Sequence, residues 1–274
     1  AGYLYALIYV HHYITTFTNL NNNATHTQPD TQSNTQTYTQ ITQLITQTNT
    51  QIITQIINQV ITKGEDEAEK HDHTFGPLLF PWQRNIYLGA AHGTAGILHI
   101  LLHVTHLLTA SQQSLISDAI DDLILNRRHE SGNFASILPV IPDMDFLVHW
   151  CHGTPGVIPL LVKASEIYKN DEFLQAACEG GDVVWKRGLL KKGMSLCHGI
   201  CGNGYSFLSL YRHTHKRVWL HRALQFGVFG LTYRNLKLDM PDHPASLFEG
   251  TAGWVCYYLH LLRPLQSRFP AFEL

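Results

Sequence analysis

Cys197 and His198 stand side by side in "SLCHGICGN", and the same Cys-His-Gly triplet recurs at 151 to 153 in "HWCHGTPGV". Two thiolates and an imidazole form a ligand set that suits zinc, and three protein ligands leave a fourth position for water or substrate. That composition belongs to a catalytic metal centre rather than to a closed structural one. Adjacent Cys and His side chains cannot enter one pocket from a regular helix, whereas a loop at a helix start lets both do so. The helix N-terminus would also favour thiolate over thiol. A plainer reading stands beside this one, because cysteine commonly serves as a small buried apolar residue. Spacing alone leaves the two open.

The elements that must position these residues show themselves as a repeat. His/Glu-Gly-x-x-Gly occurs as "HGTAG" (92–96), "HGTPG" (152–156), "HGICG" (198–202) and "EGTAG" (249–253), at spacings of 60, 46 and 51 residues. Each copy runs into an apolar segment, namely "ILHILLHV", "VIPLLVKA", "NGYSFLSLY" and "WVCYYLHLL". Such a period holds two helices with their loops, the signature of stacked supersecondary units. Amphipathic stretches such as "DEFLQAACEGGDVVWKRGLL" lie ahead of the motifs, which predicts an outer helix before each motif and an inner helix after it. Hairpins rotated about a common axis would bring the four motif loops to one end of a barrel of helices. "GYLYAL" at 2–7 reads as a truncated further copy.

The N-terminal part differs. Residues 1–13 read as an apolar helix, while residues 20–50 are almost entirely Thr, Gln and Asn. A segment without an apolar face has nothing to offset its ordering entropy, so 20–50 is predicted to be a disordered insertion. Asn23-Ala24-Thr25 within it is a bare glycosylation triplet. Beyond it, Ile52, Ile53, Ile56, Ile57, Val60 and Ile61 make one helical stripe, with the helix expected to end near Gly64.

Composition narrows the function. The 274 residues are 45% hydrophobic and 11% aromatic, enough for a sizeable core. A net charge of −2 with scattered Lys and Arg argues against nucleic acid as a partner. The longest apolar runs are too short and too broken by proline for a membrane span, and residue 1 is an Ala within an apolar patch that shows no basic region of the signal-peptide kind. Five cysteines in so long a chain do not make a disulfide framework, which points to a reducing, cytoplasmic compartment.

"GAAHGTAG", "HWCHGTPGVIPLL", "WKRGLLKKGMSLCHGICGN", "PDHPASLFEGTAG" and the terminal "RFPAFEL" resemble the eukaryotic LanC-like proteins, relatives of the bacterial lanthionine cyclases. The resemblance runs from about Ile52 to the C-terminus and again over residues 1–10, interrupted by the Thr/Gln tract. It implies an all-α fold, an α/α toroid of seven helical hairpins within whose third hairpin this chain begins. Residues 1–274 would then be one toroid domain, incomplete at the N-terminus, with 20–50 inserted in it.

The resemblance further implies one zinc ion per chain on Cys151, Cys197 and His198. It makes His92 the acid-base histidine and gives Lys192 an anionic group of glutathione or of a phosphorylated precursor. The implied activity adds the glutathione thiol to dehydroalanine and dehydrobutyrine residues in proteins. The chain departs from the family at Asp239, which stands where an arginine is expected, three residues before Asp242. That reverses the charge of an anion contact, and Lys237 lacks arginine's fork. Two alternatives follow, a noncatalytic zinc- and glutathione-binding module and an inactive fragment.

Other candidates have plainer readings. His99, His103 and His106, at i, i+4 and i+7, are expected to be core or interface histidines rather than ligands. His152 is expected to support the loop, and Cys201 to pack within a helix. Glu249 would orient a ligand or cap its own helix. "HDH" at 71–73 reads as a polar loop.

Overall fold

The computed structural model describes residues 2–24, 32–232 and 243–274. The fold is all-α, with nine α-helices among the described residues. The first two, α1 (Gly2–Ala24) and α2 (Gln32–Glu69), pack on each other. Leu4 and Ile8 of α1 are buried, as are Ile53, Ile57 and Ile61 of α2. Spacings of four residues put each set on one helix face.

Two expectations are corrected here. The described residues of the Thr/Gln/Asn tract, 20–24 and 32–50, are helical rather than disordered. Extending a helix that Ile53 to Ile61 already anchor avoids the costly nucleation step. Thr50 and Thr54 hydroxyls donate to the carbonyls of Thr46 and Thr50, both at 2.9 Å, so their polar groups are satisfied within the helix. Residues 25–31, and with them Thr25 of the glycosylation triplet, lie outside the described residues. The second correction concerns Gly64, which sits inside α2 and does not end it. A Cβ there would lie 2.8 Å from the Phe80 ring and 2.9 Å from Leu78. Glycine is required by close packing, while the following Glu and Ala residues carry the helix on to Glu69. The 71–73 stretch is a turn, with positive φ at Asp72 and His73.

The repeat folds as an inner and an outer layer. Inner helices α3 (Thr94–Leu102), α5 (Thr154–Tyr168), α7 (Ile200–Thr214) and α9 (Thr251–Leu261) each follow a motif, and each packs on the next. Outer helices α4 (Ala110–Asn126), α6 (Asp171–Arg187) and α8 (Arg217–Thr232) stand between them in sequence. In α6 the buried residues Phe173, Ala176, Ala177, Gly180 and Val184 form one stripe, whereas the first eleven residues of α7 are all buried. One-sided burial suits an outer layer and full burial an inner one.

The two layers also cap their helices differently. Thr109 closes a capping box on α4 and Asn170 accepts from the backbone of Glu172 on α6. The inner helices begin at Gly93, Gly153, Gly199 and Gly250, which have no capping side chain. Their first N–H groups donate instead to the preceding loop, as in Ala95 to Leu88 (3.1 Å), Ile200 to Gly193 (2.9 Å) and Thr251 to Pro244 (2.7 Å). This wrap brings the carbonyls of Ala90, Trp150, Leu196 and Leu247 against Gly96, Gly156, Gly202 and Gly253, where any Cβ would collide with them. The second glycine of each motif is therefore a close-approach residue.

A small antiparallel sheet that the sequence did not signal joins β1 (Pro81–Trp82), β2 (Asn85–Tyr87) and β3 (Ile137–Leu138) in that order. The C-terminal tail returns between the inner helices. Phe269 stacks on Trp150 at 4.6 Å, Phe272 stacks on His99 at 4.4 Å, and Glu273 pairs with Arg212 of α7. No helix among the described residues is long and apolar enough to cross a membrane.

Candidate metal centre

The four motif loops are joined in series by backbone hydrogen bonds. Ala91 N–H donates to the Cys151 carbonyl (3.5 Å), and Cys151 N–H donates to Cys197 (3.1 Å). Leu196 and Cys197 N–H groups both donate to Phe248 (3.0 and 2.8 Å). The convergence expected from the repeat is therefore present, and it fixes the spacing between the loops that carry the thiols.

Cys151, Cys197 and His198 meet there. One ligand atom from each lies within 4.8 Å of the others, with Cys151 buried and the other two half-buried. They are the one such group of three or more His, Cys, Asp or Glu side chains among the described residues. The five cysteines are unpaired.

The three groups shift one another's proton affinity. The Cys197 thiol is held well below its ordinary range, first by a hydrogen bond from Cys151 and also by one from His198, against the opposing effect of burial. Cys151, the donor, is pushed up. His198 is raised by its bond to the Cys197 sulfur. A thiolate already stabilised beside an imidazole is the electrostatic arrangement that a dication would take over. Two sulfurs and one imidazole on half-open loops fit zinc with a free coordination position.

His92 is exposed and lies outside the ligand group, but its loop is bonded to Cys151. Its ring is 6.2 Å from that of His152, 5.9 Å from Tyr87 and 6.4 Å from Trp82. Lys192 is exposed on the loop before α7, and its ammonium opposes protonation of His149 and His198. Glu249 precedes the Gly250 cap of α9, and its charge favours protonated His198. Its Oε2 is 3.9 Å from His243 Nε2. Asp239 and Lys237 lie outside the described residues.

His152 is half-buried beside Tyr87 and does not join the ligand group. Cys201 is fully buried in α7, where burial raises its thiol pKa, as a packing role requires. Sequence reasoning missed His149, whose buried ring is 6.3 Å from His198. Burial, followed by the charge of Lys192, lowers its pKa to about 4. Its place two residues before Cys151 was the available signal. Trp82 and Tyr87 were also missed, because the strands carrying them are only two and three residues long.

A family model for lanthionine synthetase C-like proteins matches residues 1–274. The chain is 41% identical over 201 residues to the glutathione S-transferase LANCL1 of Danio rerio, covering 72% of this chain and 48% of that protein. It is 38% identical over 208 residues to the LanC-like protein GCL1 of Arabidopsis thaliana, covering 74% and 47%. The chain thus spans about half the length of the curated relatives it matches. Among solved structures, nisin cyclase shares the fold with a TM-score of 0.58 at 18% identity, over 81% of this chain and 58% of the other.

Proposed function

The chain belongs to the lanthionine synthetase C-like family, and from that premise we propose that it is a zinc-dependent glutathione transferase acting on dehydroalanine and dehydrobutyrine residues of cytoplasmic proteins. Residues 1–274 act in this reading as one partial toroid domain with 20–50 inserted. The observation that carries it is the convergence of Cys151, Cys197 and His198 from two successive motif loops. The name of the Danio rerio relative supports the co-substrate.

Cys151, Cys197 and His198 hold the zinc. When bound, the ion supplies the positive charge that keeps a substrate thiol ionised near neutral pH. The protein's own groups do the rest. Lys192 attracts a carboxylate of glutathione and so orients the sulfur. His92, on the neighbouring loop, meets the acceptor. As the sulfur bonds to the β-carbon and the carbon–carbon π bond opens, His92 gives a proton to the α-carbon. The proton released by the thiol restores it, so addition is balanced without an oxidant or reductant.

The test incubates a dehydroalanine peptide with glutathione and follows its mass. The expected result is a gain of one glutathione that requires Cys151, Cys197, His198 and His92. Full activity after replacing both cysteines overturns the reading. Asp239, in place of the family's arginine, favours a second reading as a noncatalytic zinc and glutathione binder. Saturable glutathione binding with no mass change would select it.

A further inference from the structure

Trp82 is 54% exposed although it carries the largest apolar ring in the chain's repertoire, and it stands beside the residue assigned to proton delivery. Its indole plane lies within 6° of the His92 imidazole. Tyr87 adds a third ring, 5.9 Å from His92 and 5.4 Å from His152. Four rings thus line the rim of the loop bonded to Cys151.

The hairpin that carries Trp82 and Tyr87 is tied into the sheet by paired backbone. β2 pairs with β1 through Pro81 and Ile86, and with β3 through Ile86 and Leu138. Leu88 N–H donates to Ser136 at 3.0 Å, and Asn85 Nδ2 donates to the Tyr87 hydroxyl at 3.2 Å. Gln83, at φ 56°, closes the turn. A large ring exposed on paired backbone is a presented surface rather than the end of a loose loop.

We infer that the Trp82 ring is a platform, with Tyr87 set at an angle to it across His92, that selects the acceptor by its flatness. The inference rests on the transferase reading, in which the α-carbon of the acceptor must come within reach of His92. A dehydroalanine residue has an sp² α-carbon conjugated with the adjoining peptide groups, so the unit is planar and can lie on an aromatic face. Alanine at the same place has a tetrahedral α-carbon whose substituents leave that plane. So does the thioether product. The surface that selects the acceptor therefore loosens once the thiol has added, and substrate is held more tightly than product.

The experiment measures binding to the full chain, without glutathione, of two peptides that differ only in a central dehydroalanine or alanine. The expected preference for dehydroalanine is about two- to tenfold, the range of a single stacking contact. Trp82→Leu keeps an apolar side chain and should abolish the preference, while Trp82→Phe should retain most of it. Zinc per chain should stay the same in all three proteins. A wild-type chain with no preference, or a Trp82→Leu variant with an undiminished one, overturns the platform. A parallel mass assay with glutathione separates the two readings. A Trp82-dependent preference without thioether formation leaves the platform standing and removes the transferase. Turnover whose KM for the peptide is unchanged in Trp82→Leu does the reverse.

Discussion

At the N-terminal ends of α5 and α7, Cys151, Cys197 and His198 lie on glycine-bounded loops and are partly open to solvent. Towards the opposite ends of the inner helices, His99 and His103 line, with Lys163, Glu166, Arg212 and Glu273, a half-open cavity of about 100 Å³. The two histidines have Nε2 atoms 3.2 Å apart, and burial is the main force lowering both to about pH 3. His106, exposed in a short turn, does not join them. Both ends concentrate titratable groups. One end brings donors of different kinds to a shared opening, while the other holds neutral imidazoles beside a buried Arg–Glu pair. Helical spacing put His99 and His103 on a buried face, whereas recurrence at the loop positions of the repeat brought Cys151 and Cys197 together.

The sharpest break between the two ends is metal content. Cys151→Ala with Cys197→Ala should reduce zinc from about one per chain to none and abolish glutathione addition, since one ligand cannot retain the ion. His99→Gln with His103→Gln should leave the zinc in place. Elemental analysis of the purified variants reads both outcomes, and zinc lost from the second variant would undo the assignment of the ends.

Stability should respond in the opposite way. Glu273 accepts from Phe269 N–H at 2.8 Å and pairs with Arg212, and the side chains are 7% and 13% exposed. Glu273→Ala leaves a guanidinium unpaired among buried groups and should cost about 3–5 kcal/mol in denaturant unfolding. Phe269 and Phe272 would lose their anchor with it, and Trp150, immediately before Cys151, would lose its stacking partners. A cost below about 1 kcal/mol would mean that the tail is held by its aromatic rings alone.

The histidine pair adds a pH dependence. Both folded values, about 3, lie below the unfolded value of 6.5. Between those limits the unfolded chain takes up protons that the folded chain refuses. Stability is therefore present above pH 6.5 and falls as the pH drops towards 3, by about 1.4 kcal/mol per unit for each histidine. His103→Gln should remove about half of that slope in unfolding curves collected from pH 7 to 4. An unchanged slope would assign acid sensitivity to other groups.

The fold was legible where a local rule repeats. The motif glycines, the inner and outer helices and the shared end for the loops all follow from one pattern read four times. Gly64 was misread because a glycine that ends a helix and one that admits Phe80 look alike in sequence. The helical residues 32–50 were misread because local polarity says nothing of a helix anchored further along. His149 carries no repeat signal of its own, and Trp82 lies on a two-residue strand paired with Asn85, too short to leave a periodic pattern, in a sheet whose third strand comes from about fifty residues away. The ligand trio was readable by type, while the pKa shifts within it depend on the loops being brought together.

The smallest expected effect tests how far the open end relies on charge. Lys192 is exposed, so water screens whatever anion it meets. Lys192→Met should raise the KM for glutathione by no more than about fivefold, leave kcat and zinc content unchanged, and lose its effect as salt rises. Steady-state kinetics at two ionic strengths supply the comparison. A fall in kcat with KM unchanged would place the lysine at the reacting atoms rather than at a carboxylate of the co-substrate. The open end would then hold a second charged group at its chemistry, beside the thiolate that Cys151 and His198 already stabilise on Cys197.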